Sequence, residues 1–333
     1  MSIFVRQQHT INAFEGSGSW AILSPIERSI KQKIEAVGTP LKDWDINIYR
    51  GVLTGCNDAF IISTEKREEI LSNCHDEAER ERTEELIRPI LRGRDIKRYG
   101  YNWANLYLVA IFPSKHYNID EYPSLKNYLL SYAKDYLLSN DLGWIADKYL
   151  ADFCKQKLSQ TGKPIIINGK KIIVGQKVEK ARKKTSNKWF ETQDSISYWE
   201  DFDKPKIIYP NMTKYMPFVY DDNKFLTNQK CFIVTGENIA FLSAFFNSSI
   251  FKYCFRDSFP ELQGGTRELS KIFFDKIPIL KVTDAINEKF RMIIEDIQEN
   301  YTNQKAKRID TMLFDLYNLT LEEREAIGYI EIK

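Results

Sequence analysis

Hydrophobic positions recur with a helical period at both ends of the chain and in short, dense runs between them. Near the N-terminus Ile26, Ile30, Ile34 and Val37 fall on one face, the spacing of an amphipathic helix. Ser24 is placed as N-cap, Pro25 at the first helical position and Glu27 to close a capping box, and Gly38 ends the pattern. A helix over 25–37 is predicted, within an N-terminal segment spanning 1–44. At the other end, Leu280 to Ile327 contains no Gly or Pro, and Ile286, Phe290, Ile293, Ile297 and Tyr301 step by four, three, four and four. That is a narrow apolar stripe. Met312, Leu313 and Leu316 mark a second helix, and Thr320 with Glu323 forms a capping box for a short third. Together they predict a helical element over 281–333. Its stripe is expected to pack on the chain's own core, with docking on another helix as the alternative.

The middle reads differently. Asp45 to Tyr49 and Ala59 to Ser63 suggest strands flanking a GVLTG loop, and Tyr107 to Phe112 a buried strand ended by Pro113. Lys206 to Tyr209 and Cys231 to Val234 are apolar runs of core-strand type. Residues 121–154 carry Leu125, Leu129, Tyr132, Tyr136 and Leu137 on a helical face, and the dense charges of 65–87 suggest a solvated helical face. The strongest local signal is Ile165 to Val174, two β-branched runs around Asn168-Gly169. Asn-Gly favours the type I′ turn of a two-residue hairpin. The mixture predicts an α/β mixed (α+β) fold, with a central domain over 45–280.

Composition narrows the class. A chain of 333 residues, 43% hydrophobic and 28% charged, can bury a large core. No apolar run approaches the length of a bilayer span, and MSIFVRQQHTINAFEG lacks the pattern of a secretory signal; a cytoplasmic protein without a membrane partner is expected. The five cysteines have no CxxC pairing and read as reduced, and three histidines leave little for a zinc site.

Charge matters through its distribution. Net charge is +2, yet from Lys155 to Lys188 eleven basic residues face one acidic residue, Glu179. That island carries +10, so the remainder carries 2 − 10 = −8. A basic island on an acidic body suits phosphate binding, because the body then does not adhere to nucleic acid elsewhere; a solvated lysine-rich insertion is the bland alternative. Lys170, Lys171, Lys177, Lys180, Arg182, Lys183, Lys184 and Lys188 are its candidate phosphate contacts. Lys170 and Lys171 tip the predicted hairpin, and the major groove admits a two-stranded ribbon.

Two further segments carry candidate chemistry. LRGRDIKRYG places Arg92, Arg94, Lys97 and Arg98 around a glycine, able to clamp a phosphate backbone, although Asp95 can instead pair internally with one arginine. NMTKYMPFVYDD offers Asn211, Thr213 and Lys214 as base or loop contacts. Thr54 and Asn57 in the GVLTG loop are candidates of the same kind, against a slightly favoured structural role, and GGTRELS presents Arg267.

In their order along the chain, GVLTGCNDAF (51–60), RPILRGRDIKRY (88–99), KWFET (188–192), KPKIIYPNMTKYMPF (204–218), IAFLSAFFNSS (239–249) and IFFDKIPI (272–279) resemble the TaqI-like C-terminal specificity domain, over roughly 41–280. That is the target-recognition module of adenine DNA methyltransferases and of fused restriction-modification enzymes. The resemblance implies a module that reads double-stranded DNA for a methyltransferase, or a methyltransferase with an endonuclease, joined in cis or in trans. S-adenosylmethionine and a divalent metal are then expected only for those catalytic parts, and no cofactor for this chain.

The chain has no FxGxG-like methyl-donor turn, no [DNS]PP[YFW], no GxSxG and no HExxH, and its one late ExK, Glu331-Ile332-Lys333, has no upstream Pro-Asp partner. No catalytic or metal-ligating residue is expected. Two other classes stay open. An RNA- or single-strand-binding accessory protein would expose Trp189, Phe190, Tyr198 and Trp199 for base stacking, whereas a recognition domain would bury them. An enzyme of another kind would need a deep pocket of convergent carboxylates.

Overall fold

The computed structural model describes residues 24–139, 165–167, 170–172 and 186–330. The fold is α+β, organised about one antiparallel sheet ordered Val219–Asp221, Lys206–Pro210, Cys231–Gly236, Ile46–Arg50. The run Lys206–Pro210 does not alternate apolar with polar because every position in it is buried. Both sheet faces are covered, which such runs require. Ile208, Val219 and Ile233 enter one hydrophobic core; Ile207, Tyr209, Tyr220 and Val234, one residue out of phase, enter a second.

The first core lies under a mixed sheet of Leu226–Thr227, Ile87–Leu91, Leu106–Val109 and Ile61–Ser63, with helices Thr64–Ser72, Glu77–Leu86 and Pro123–Ser139 around it. Ser63 and Asp76 cap the first two of these helices. The charged stretch 65–87 is therefore two helices, and it is not solvated all round. Glu79 is buried and accepts the backbone N–H of His75 and of Ser124, at 2.8 and 2.7 Å. Ala59 and Phe60, expected in a strand, instead close one helical turn, Asn57–Phe60, on the Cys56 carbonyl, and the strand begins at Ile61. Trp189, Tyr198 and Trp199 pack against this core and Phe190 is inside it. Tyr198 stacks on Tyr49 at 4.3 Å. They are not an open stacking platform.

The second core draws on Ile30 and Ile34, the aromatic helix Ile239–Asn247, and Phe290, Ile294, Ile297, Ile309, Leu313 and Phe314 of helices Asp284–Glu299 and Asn303–Leu316. The C-terminal stripe thus packs on the chain's own core. Residues before 44 and after 280 share the second core with residues between them. Helix Pro25–Val37, with its Ser24–Glu27 capping box, leads into Gly38–Pro40, which pairs antiparallel with Pro278–Leu280. A Cβ on Gly38 would meet the Ile34 carbonyl and Pro278 at 2.7 Å, so the close approach of the two segments requires glycine there.

The ends of the chain are also clamped electrostatically. Glu323, in the capping box of Leu321–Ile327, accepts from Lys33 Nζ and Ser29 Oγ, both at 2.7 Å. Burial alone would push its carboxyl up, but hydrogen bonds from Lys33, Ser29 and Thr320 outweigh this and hold it at about 2. A depressed folded pKa gives stability that is present above the ordinary value of 4.5 and is lost as pH falls toward 2. Glu323→Gln should flatten that part of the acid-unfolding profile in urea melts taken between pH 5 and pH 2; an unaltered profile would remove the clamp.

Candidate nucleic-acid interface

A cleft of about 1820 Å³ opens on the surface of the described residues. Its first wall is the segment after strand Ile87–Leu91. Arg92 and Asp95 form a bidentate pair, Nε and Nη2 each 2.9 Å from a carboxylate oxygen, and Asp95 also accepts the Arg92 backbone N–H. This fork fixes the turn Gly93–Asp95. Ile96–Lys97 and Gly100–Tyr101 then pair as a short hairpin that has Arg98 and Tyr99 at its bend. Tyr99 is in the left-handed region at φ 60°, a strained place for a bulky residue. Its ring, buried in the second core, pins the bend.

The second wall is the segment after strand Lys206–Pro210. Met212–Thr213 pairs with Thr266–Glu268, and Thr213 Oγ1 accepts the backbone N–H of Tyr215 and of Met216. Met216 is buried, so this turn projects Lys214 and Tyr215, the latter 73% exposed, over the cleft. Beside them Gly264 and Gly265 both adopt left-handed φ, 77° and 76°.

The lining is strongly cationic: Arg92, Arg94, Lys97, Arg98, Lys214, Lys230 and Lys252 against one carboxylate, Asp58. Arg94, Lys97, Lys214 and Lys230 are exposed. Arg92 is spent on Asp95, the internal pairing foreseen for one arginine. Arg98 lies deeper and donates to the carbonyls of Asn247 and Ile330 at 3.0 and 3.2 Å. Among the described residues no three His, Cys, Asp or Glu side chains gather as metal ligands, and no helix is long and apolar enough to cross a membrane.

The structure brings together Asn57, Asn211, Thr213, Lys214, Arg94, Lys97 and Arg98 from three distant segments. It removes two candidates from any role at bases. Thr54 is 1% exposed and donates to Asn57 Oδ1 at 2.7 Å. Its loop is structural: Gly51 abuts the Asn228 carbonyl, 2.2 Å from where a Cβ would sit. Arg267 is 7% exposed; it donates to the Phe259 carbonyl at 2.8 Å and pairs with Asp257 and Glu261. It pins a loop from beneath. Of the basic island, strands Ile165–Ile167 and Lys170–Ile172 pair in the register expected for a two-residue hairpin. Lys177, Lys180, Arg182, Lys183 and Lys184 lie outside the described residues. Lys188 is exposed, with Nζ 3.3 Å from the Tyr117 carbonyl and 5.6 Å from the Phe190 ring, and is not part of the cleft lining. Sequence reasoning missed Lys230 and Lys252. Each is an isolated lysine, Lys230 after Asn228-Gln229 and Lys252 between Phe251 and Tyr253, with no local pattern to single it out.

Residues 88–279, more than half of the chain, match the TaqI-like C-terminal specificity domain. The chain belongs to that family. The match opens on the segment that builds the first cleft wall and closes on the strand paired with Gly38–Pro40; GVLTGCNDAF lies outside it. No curated protein matches the chain. Among solved structures, this specificity domain is similar to the type IIG restriction endonuclease BpuSI, with a TM-score of 0.48 and 14% identity over 88% of this chain and 33% of that one. It is also similar to the type IIL restriction-modification enzyme MmeI, solved in complex with DNA, with a TM-score of 0.47 and 11% identity over 82% of this chain and 33% of that one. The chain therefore spans about a third of the length of either protein.

Proposed function

We propose that the chain is the DNA-reading module of a restriction-modification system and carries no catalysis of its own. It would hold double-stranded DNA along the cleft and direct a methyltransferase, alone or with an endonuclease, to a chosen site. S-adenosylmethionine and a divalent metal would belong to those catalytic parts, supplied in cis or in trans. The observation that carries the reading is the cleft lining, where seven cations face a single carboxylate and amide and hydroxyl groups stand among them. Cations at a rim neutralise phosphates, and Asn211, Thr213 and Lys214 are of the types that read base edges. An enzyme with convergent carboxylates does not fit such a lining. A single-strand reader fits poorly, because the tryptophans next to the basic island are packed against the first core.

A salt titration of binding to random duplex DNA, with single-stranded DNA and duplex RNA alongside, tests this. Duplex DNA should bind most tightly and lose affinity steeply with salt. Preference for single strands would overturn the reading. Among sequences recovered by selection, Asn211→Ala should change which base is preferred, whereas Arg267→Ala should act only through stability.

A further inference from the structure

Beneath the rim, the cleft floor holds more positive charge and more unmet hydrogen-bond donors than folding alone explains. Arg98 uses Nε and Nη1 on two carbonyls, but its Nη2 is buried without a partner. Tyr99 is 1% exposed and its hydroxyl, near Arg98, Asp310 and Tyr301, is likewise unpartnered. Lys252, on helix Ser249–Phe255, lines the same floor, and its ammonium has no hydrogen-bond partner among the described residues. The charged groups facing it are Arg98, Arg256 and Asp310. Asp310 is spent on Ser249, accepting its N–H and its hydroxyl at 2.8 and 2.7 Å. Arg98 and Lys252 thus share one carboxylate already in use, with Arg256 adding like charge beside Lys252. Burying unsatisfied donors is costly, and like charges repel more strongly away from water. A bound anion removes both penalties at once.

We propose that this floor is a buried phosphate subsite, in which Arg98 Nη2, Lys252 Nζ and the Tyr99 hydroxyl take the oxygens of one phosphodiester of the bound duplex. The proposal deepens the DNA-reading function and rests on it. Such a contact, deeper than those at the rim, fixes register along the backbone without reading sequence. Lys252 supplies a handle for testing it. Burial and the neighbouring Arg98 and Arg256 bring its ammonium down to about 8. Burial pushes the Asp310 carboxyl up, against its hydrogen bonds from Ser249 and the nearby Arg98 and Lys252. Phosphate binding favours the charged ammonium, so the contribution of Lys252 to affinity is complete below about pH 8 and declines above it.

The experiment measures duplex affinity of the full chain against salt at pH 7 and against pH from 7 to 9.5, for wild type, Lys252→Met, Lys252→Arg and Tyr99→Phe. Unfolding midpoints serve as the folding control. Lys252→Met should lower the log–log salt slope by about 0.9, the value of one phosphate contact, and abolish the alkaline decline. Lys252→Arg should keep the slope and still abolish the decline, which a merely structural lysine would not do. Tyr99→Phe should weaken binding several-fold with the slope intact. An unchanged slope in Lys252→Met, with wild type binding duplex, overturns the subsite and leaves the DNA reading standing. If wild type binds no duplex, the DNA reading fails. Inorganic phosphate titrated against the Lys252 resonance then decides the subsite alone: a raised pKa supports an anion site for free phosphate, and no change removes it.

Discussion

Lys206→Met should destabilise the protein by about 3–5 kcal/mol, a large fraction of the stability of a folded domain. Lys206 and Asp221 are cross-strand partners in the central sheet and both are 0% exposed. Nζ stands 2.6 Å from Asp221 Oδ2 and 2.7 Å from the Phe202 carbonyl. Asp221 in turn accepts the backbone N–H of Asn223 and of Phe225, which shapes the turn after its strand. Burial pulls the Lys206 ammonium down, and Asp221 opposes this by proximity and hydrogen bonding. Removing the lysine leaves a carboxylate under the first core with two amide donors and no countercharge. The double change Lys206→Met with Asp221→Asn should therefore lose less than Lys206→Met alone, because no unpaired charge remains. Urea unfolding midpoints of the three proteins read this directly. A loss below about 1 kcal/mol in the single variant would mean that the pair does not hold the sheet.

The largest functional effect is expected at the cleft rim. Replacing Arg94, Lys97, Lys214 and Lys230 together by Ala should lower the salt slope of duplex binding by up to roughly 3.6 and weaken binding on the order of a thousandfold at ~0.1 M salt. All four are exposed and hold no core contact, so the unfolding midpoint should move little. The matching change in the basic island, Lys180, Arg182, Lys183 and Lys184 to Ala, separates two footprints. If the rim variant keeps its slope and the island variant loses its own, DNA lies along the island and the cleft assignment is wrong. If both lose slope, the duplex spans both.

Much of the fold was legible because its signals are local. The Ser24–Glu27 and Thr320–Glu323 capping boxes form as the sequence predicts, and so does the hairpin register around Asn168-Gly169. The runs at Lys206 and Cys231 are central strands. Failures arose where a distant partner decides. Ala59 and Phe60 have strand-like neighbours, yet the turn held by Thr54 and Asn57 makes them helical. Arg267 looked like a free arginine in a glycine loop because Asp257, Glu261 and the Phe259 carbonyl are invisible as partners until the strands Glu261–Leu262 and Thr266–Glu268 pair. The cleft was half legible: RGRDIKRYG and NMTKYMPF stood out by composition. That they face each other, with Lys230 and Lys252 between them, follows only from the sheet.

The two cores differ in where along the chain their parts are encoded. All the buried residues of the first lie between Val52 and Ile233, while those of the second run from Ile30 to Leu319. A chain emerging N-terminus first can thus collapse the first core once Ile233 is made, with one face of the central sheet sealed and the other still to be covered. Gly38–Pro40, at the end of the helix that carries Ile30 and Ile34, must wait for a strand partner encoded some 240 positions later. The aromatic helix Ile239–Asn247 is the first to cover the other face, and its Phe241 gains its ring partner Phe290 only when Asp284–Glu299 arrives. A chain halted before that helix leaves the apolar outer side of Ile239–Asn247 bare, a surface that invites self-association.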